Sequence, residues 1–575
     1  MESKDESQLK KEGNKRSPFD LIFSQIQKKK VTKESNENNF QVKQFFRGFQ
    51  RNSSKAEKKK KEGEEPTNQC TSGDHNKENG QNEVSKKVSE ETMASNEAGW
   101  FQVTEFMQKF GKKAECHSIN LNNCSLTQTD LNDLGVHLPF LPDVEEIDLS
   151  WNNLIGGSIK LLTPHLRQVA RLKLLCLSNC NLTEEDASAL GEALEYIPHL
   201  EALDLSWNSD IGGNLSKVTQ HIPVQFELKV LNLTECGLGE TDGEALATAI
   251  GKMPHLEALD LSLNKYIGSI MNSLVVELKS CSSLRVLNLH ATGLHQDNIQ
   301  YLSAIFHYWP NLRVLDLSSN KEAGGGFREA AARLTAFKHL ERLDIHQCCL
   351  SQDDVNALTQ VIPLLSNLEV LDISSNKAVG VSPEYLFSRL RFLPRLKSVL
   401  VNNCSLKEES FAALAEASHY LLDLRVLDLS WNKCVGGKLK LLLDTLKTAT
   451  ALQSMVLSSC NLVTQDLAVL ASAAQAGHLD SLQQLDIAYN DTVVDEGWML
   501  FFESAHALKN ITELDVSLRP SSNRSCGPWF IHLLSILVKL PGLRELGMQR
   551  WLLTAAEKQQ LSYIMTEKNI SILFD

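Results

Sequence analysis

The chain has 575 residues, 42% of them hydrophobic and 22% charged, with no excess of Gly or Pro, so it is globular in make-up but too long for one compact core. The formal charge of −13 is unevenly placed: residues 1–90 hold 20 Lys+Arg against 15 Asp+Glu, a net of +5, which leaves −18 for the remainder. An acidic body argues against nucleic-acid binding there and favours a protein partner with a basic surface.

The opening MESKDESQLK is polar, so no secretory signal is expected, and no stretch approaches the ~18 apolar residues of a membrane helix. The ending SILFD carries no prenylation box. These features predict a cytoplasmic chain, with a nuclear location as a further reading, and thirteen reduced cysteines. Residues 1–96 are rich in Lys, Glu, Asn and Ser and read as a disordered tail. Within it, FQVKQFFRGFQRNSSKAEKKKK (residues 40–61) interleaves Phe40, Phe45, Phe46 and Phe49 with basic residues. Weak contact with an anionic membrane or calmodulin, switched at Ser53 or Ser54, and nuclear import are its functional readings; a solvated tail is the plain one. Residues 97–115 then read as an N-terminal capping helix with Trp100, Val103, Met107 and Phe110 on one face.

From residue 116 to 551 a single pattern recurs about sixteen times, L-x-x-L-x-L-x-x-(N/C)-x-L. Its ninth position falls at Cys124, Asn152, Cys180, Asn208, Cys236, Asn264, Thr292, Asn320, Cys348, Asn376, Cys404, Asn432 and Cys460, each 28 residues after the last. The step slips to 30 at Asn490, and degenerate units follow around Val516 and Met548. Leucines alternating with polar residues predict a half-buried strand in each unit. Thr127-Gln-Thr-Asp130, Thr183-Glu-Glu-Asp186 and Ser351-Gln-Asp-Asp354 predict helix starts. A unit of strand, turn and helix cannot bury its own apolar face, so the units must stack. The expected fold is α/β: a solenoid curved into a horseshoe, with an inner parallel β-sheet and outer α-helices. Residues 552–575 should close its far end.

These units, with Asn and Cys alternating at the ninth position, resemble the ribonuclease-inhibitor-like class of leucine-rich repeats. The resemblance implies a full helix in each unit and recognition of a protein through the concave sheet, and it supplies no catalytic residues. Ribonuclease inhibitor, the repeat domains of NOD-like receptors and the Ran GTPase-activating protein belong to this class.

Candidate sites follow from the register. The six ninth-position cysteines lie at least 56 residues apart, two strands or ~10 Å, too far for a disulfide or shared metal ligation, and read as buried thiols. The Asn side chains should bond the turn backbone as a structural ladder. Position five is mostly acidic (Asp148, Asp204, Asp260, Asp316, Asp344, Asp372, Asp428, Asp486, Asp515) and should line the concave face, with Asn232 and Asn288 bonding carboxylates between them. At the centre, Asp316, Asp344 and Asp372 are accompanied by Arg313, Arg342, His290 and His346, a mixed groove suited to a protein ligand; the two histidines should lie too far apart to share a metal. Trp151, Trp207 and Trp431, with Tyr489 equivalent, occupy the eighth position. A Gly pair follows each Trp, so packing over that turn and anchoring a partner are both open readings.

The expected function is therefore a non-enzymatic protein-binding scaffold without metal or cofactor. A regulator of an enzyme is the alternative, either a GTPase-activating protein of the Ran type or an inhibitor of the ribonuclease-inhibitor type. No phosphate-binding Gly-rich loop supports ATPase or kinase chemistry.

Overall fold

The computed structural model describes residues 99–381 and 385–574. The tail of residues 1–96, with its segment 40–61, lies outside the described residues, as do the expectations attached to it. Two compact units divide the chain: one runs to Leu205 and takes in Leu228–Val230, the other holds Ser206–Glu227 and Leu231 onward.

In the first unit a helix over residues 99–109 buries Val103, Phe106 and Met107, with Trp100 and Phe110 half-buried. The spacing 103, 106, 107, 110 is the helical one, so the buried face centres on Phe106, which the sequence reading left out. Its ring meets His137 edge-on, the centroids 5.4 Å apart. Four strands follow, β1 (Ser118–Asn120), β2 (Glu146–Asp148), β3 (Leu174–Cys176) and β4 (Ala202–Asp204). They pair in parallel with the fourth-position residues Ile119, Ile147, Leu175 and Leu203 in register.

β5 (Val230–Asn232) falls at the boundary of the units. The second unit continues with β6 (Ala258–Asp260), β7 (Val286–Asn288), β8 (Val314–Asp316), β9 (Arg342–Asp344), β10 (Val370–Asp372), β11 (Ser398–Leu400), β12 (Val426–Asp428), β13 (Ser454–Val456), β14 (Gln484–Asp486) and β15 (Glu513–Asp515). All pair in parallel with their sequence neighbours in the same register. A strand at Glu545–Gly547 and a last one at Ser571–Leu573 extend this sheet, so residues 552–575 supply a paired strand as well as the helix Ala555–Lys568.

Helices alternate in length, which corrects the expectation of a full helix in each unit. Repeats with Cys at position nine carry helices such as Glu184–Leu194, Gln352–Val361 and Thr464–Gln475. Repeats with Asn there carry shorter ones, Thr163–Leu166, Leu215–Thr219 and Leu439–Thr445. The Gly pairs are the cause. A Cβ on Gly156 would stand 2.0 Å from the Asn181 carbonyl oxygen, and Gly157 turns at φ +78, which delays the helix. Where the second Gly is replaced, at Gly268-Ser269, the helix begins at once and spans Ile267–Leu278.

Adjacent repeats are tied through three side chains. Asn152 accepts from Cys124 N at 3.0 Å and Leu126 N at 2.9 Å and donates to Leu121 O at 2.9 Å, and Asn264, Asn320, Asn376 and Asn432 donate back in the same way. The Cys180, Cys348, Cys404 and Cys460 thiols donate to carbonyls of the preceding repeat at 3.2–3.4 Å and are fully buried. At the starts of the longer helices, buried Asp186, Asp354 and Asp466 accept from the N–H of Gly157, Gly325 and Gly437 at 2.5–2.6 Å. The Asn and Cys ladders therefore satisfy backbone groups that a stacked turn leaves without partners.

Candidate functional site on β8–β10

Each strand here ends in the same turn. The position-eight residue adopts a left-handed backbone, at φ 59 for Ser319, 53 for Gln347 and 56 for Ser375, and its N–H reaches the next strand. That turn draws the position-five carboxylate inward. Asp316 accepts from Ser318 N at 3.1 Å, Asp372 from Ser374 N at 3.0 Å and Asp428 from Ser430 N at 2.9 Å. Asp204, Asp260, Asp316, Asp344 and Asp428 are buried. The expectation of an exposed acidic face is thus corrected, because these carboxylates cap the strand exits. The amide–carboxylate pairing does form, with Asn288 Nδ2 2.7 Å from Asp260 Oδ2.

The centre brings most of the expected residues together. Arg342 Nη2 lies 2.9 Å from Asp344 Oδ2, and His346 Nδ1 lies 2.7 Å from Asp344 Oδ1 and 3.7 Å from Asp372 Oδ2. His346 Nε2 faces Ser319 Oγ at 3.2 Å. His290 Nδ1 meets Ser318 Oγ at 2.8 Å, and Ser318 in turn donates to Asp316 at 2.5 Å. The His290 and His346 ring centroids are 5.7 Å apart. Two strands separate their backbones, but the His290 ring bonds Ser318 and the His346 ring reaches Ser319 on the repeat between them, an approach that the strand spacing alone does not reveal.

Arg313 stands outside this cluster. It pairs with Glu341 at 2.7 Å, one of the partly exposed strand-entry ion pairs of the second unit, with Arg285–Glu257 and Lys397–Glu369.

Electrostatically the cluster is crowded. Burial opposes the imidazolium, but Asp344 and Asp372 outweigh it and hold His346 up at about 9. Burial and the Asp344 carboxylate push Asp372 up to about 6, with His346 pulling the other way. Asp344, His346 and Asp372 bring ligand atoms within 4.8 Å of one another, a spacing that a divalent cation can bridge. Arg342 and protonated His346 already supply positive charge at those carboxylates, so the arrangement reads as an ion-pair network.

The aromatic positions differ among themselves. Trp207 and Tyr489 are buried, Trp151 is half-buried, and Trp431 is 43% exposed. All four share a left-handed backbone, φ 60–65, so the turn and not the side chain sets their direction.

A family model described as "Leucine Rich repeat" matches residues 196–214 and 252–270. The chain is similar to the ribonuclease inhibitor of Sus scrofa, 27% identical over 412 residues that span 70% of this chain and 87% of the relative. It is likewise similar to that of Mus musculus, 26% identical over 68% of this chain and 86% of the relative. The repeats are leucine-rich repeats, similar in sequence to the ribonuclease inhibitors over most of those proteins' length. The chain is also similar to Protein NLRC5 of Homo sapiens, 25% identical over 66% of this chain but only 23% of that protein. Among solved structures, the Rad7 and Elc1 complex in yeast aligns with a TM-score of 0.41 at 18% identity, over 76% of this chain and 93% of the matched one. Among the described residues no helix is long and apolar enough to cross a membrane.

Proposed function

We propose that the chain is a non-enzymatic protein-binding scaffold that seats its partner on the strand face around β8–β10. The observation that carries this reading is the Arg342–Asp344–His346–Asp372 network, where quarter-exposed Arg342 and His346 interrupt a face of buried caps. Charges of both signs held in fixed positions suit selective recognition of a protein. Trp431, exposed at the exit of β12, is the apolar anchor on the same unit. His290, Asp316 and Ser318 position the network from beside it.

A second reading, inhibition of an enzyme by occlusion, is favoured by similarity to two proteins named as ribonuclease inhibitors over most of their length. A cytoplasmic location, domain boundaries at residues 96, 115 and 551, and the absence of a cofactor belong to this proposal.

The test is quantitative affinity capture with the full chain, comparing wild type with His346→Gln/Trp431→Ala. Loss of the main captured partner from the variant supports the strand face. Recovery of the same partners in the same amounts sinks it. Adding ribonuclease A with a cytidylyl substrate separates the second reading: undiminished cleavage at saturating protein counts against inhibition of that enzyme.

A further inference from the structure

A different edge of the second unit carries an apolar row that the strand-face reading does not use. Tyr308, Leu364 and Phe392 each end a short 3₁₀ turn, at Phe306–Tyr308, Ile362–Leu364 and Leu390–Phe392, and Tyr420 follows in the same register. Leu364 is 64% exposed, Phe392 52% and Tyr420 49%, yet the next residues, Leu365, Leu393 and Leu421, are buried. The buried neighbour fills the core, so the exposed side chain is not needed there and its exposure does not reflect loose packing. The turns holding Leu364 and Phe392 pack on each other, and the Arg391 guanidinium lies 5.8 Å from the Tyr420 ring, so three successive repeats form one surface. Single exposed apolar residues are ordinary; a row in register is not.

The charge beside this row indicates what covers it. Arg333 bonds Ser303 Oγ at 3.0 Å, Lys338 bonds Thr335 O at 2.9 Å, and Arg395 bonds Asn367 Oδ1 at 2.8 Å. These three cations are bonded to neutral groups, whereas the strand-entry cations Arg285, Arg313 and Lys397 are matched to Glu257, Glu341 and Glu369. Arg391, next to Phe392 in the chain, stands 3.8 Å from Glu416. At the position between Tyr308 and Leu364 the row has Ala336, and there a cavity of about 330 Å³ opens, lined by Ser303, His307, Arg333 and Thr335 among others. On a body whose formal charge is acidic, the rim beside Ala336, Leu364 and Phe392 is basic, and acidic Glu416 and Asp423 stand only toward its Tyr420 end.

We propose that this edge is a second docking surface, taking an acidic protein segment whose apolar side chains cover Leu364, Phe392 and Tyr420 and whose carboxylates meet Arg333, Lys338 and Arg395. The cavity beside Ala336 receives one anchoring side chain of that segment.

The experiment uses the full chain and a fluorescein-labelled amphipathic 18-residue peptide with Leu and Phe on one face and Glu on the other, read by anisotropy. A counterpart with Lys for Glu, and phosphatidylcholine/phosphatidylserine vesicles, serve as competing probes. The acidic peptide should bind, should weaken as salt rises, and should lose at least tenfold in affinity with either Leu364→Ser/Phe392→Ser or Lys338→Glu/Arg395→Glu. All four positions are exposed, and thermal melts that match wild type show that each variant is folded. No binding of the acidic peptide, equal binding of the Lys peptide, or unchanged affinity in both variants overturns the proposal. Vesicle binding that depends on Phe392 and Arg395, without peptide binding, overturns it in favour of a membrane surface. The strand-face variant His346→Gln/Trp431→Ala should leave peptide affinity unchanged, which keeps the two surfaces distinguishable.

Discussion

Two pairs of adjacent strands in the second unit pose the same problem and solve it differently. Asp344 and Asp372 on β9 and β10, and Asp486 and Asp515 on β14 and β15, are neighbours in register at the strand exits. At the first pair, Arg342 and His346 stand among the carboxylates and Asp372 is pushed only to about 6. At the second, burial and the Asp515 charge push Asp486 up to about 8, and no cation is among the groups that chiefly set its balance. Like charges packed side by side are tolerated either by adding a cation or by keeping a proton. The first solution leaves charged groups at the surface; the second leaves a neutral, pH-sensitive one.

The largest expected effect comes from unmaking the first solution. Arg342→Met leaves buried Asp344 short of its guanidinium partner and should cost about 3 kcal/mol in urea unfolding at pH 7. An unchanged midpoint would remove the basis for treating the network as cohesive. At the second pair the sign reverses. The folded value of Asp486 lies above the unfolded one, so its stabilising contribution is present below about pH 4 and is lost as pH rises through about 8. Asp486→Asn should therefore stabilise the chain by about 2 kcal/mol at pH 8.5 and by little at pH 4, as followed by thermal melts across pH. A variant no more stable than wild type at pH 8.5 would mean that the two pairs do not differ in kind.

His346 gives a smaller effect in another window. Its folded value of about 9 exceeds the unfolded one, so its contribution is complete below about pH 6.5 and lost through pH 9. His346→Gln should cost about 1 kcal/mol at pH 6 and converge with wild type above about pH 10; parallel curves would count against the imidazolium. The smallest effect belongs to Arg313→Ser, which removes an exposed pair with Glu341 and should shift stability by less than about 1 kcal/mol. A larger loss would place Arg313 back among the central residues.

The solenoid was legible because its 28-residue period states which residues must stack, and the Asn and Cys ladders followed from the same register. The fate of the aspartates was not legible. An Asp at position five looks the same in sequence whether it faces solvent or accepts from the N–H two residues on, and the left-handed turn at position eight decides between them. The His290–His346 approach escaped for a related reason: strand spacing gives the distance between backbones, while the two rings reach Ser318 and Ser319 on the repeat between them. The short helices had a signal in the Gly pairs, because a residue at φ +78 cannot continue a helix. Phe106 was missed although its spacing from Val103 and Phe110 is helical.

The ties between repeats set the smallest block by which this chain can grow or shrink. Asn152 serves the turn of the Cys124 repeat behind it, while Asp186 and Cys180 serve the Asn152 repeat behind them. Removing 28 residues would set two repeats of one kind together, so that a Gly pair loses its aspartate or a Cys turn loses its amide. Removing 56 keeps the alternation, and it restores every partner where the couples excised and joined carry the same Asp and Gly pair, since positions 298 and 410 hold Asn and Ser instead. The cooperative module is therefore a couple of repeats, and insertions or excisions in even multiples are those that should fold with their cooperativity intact.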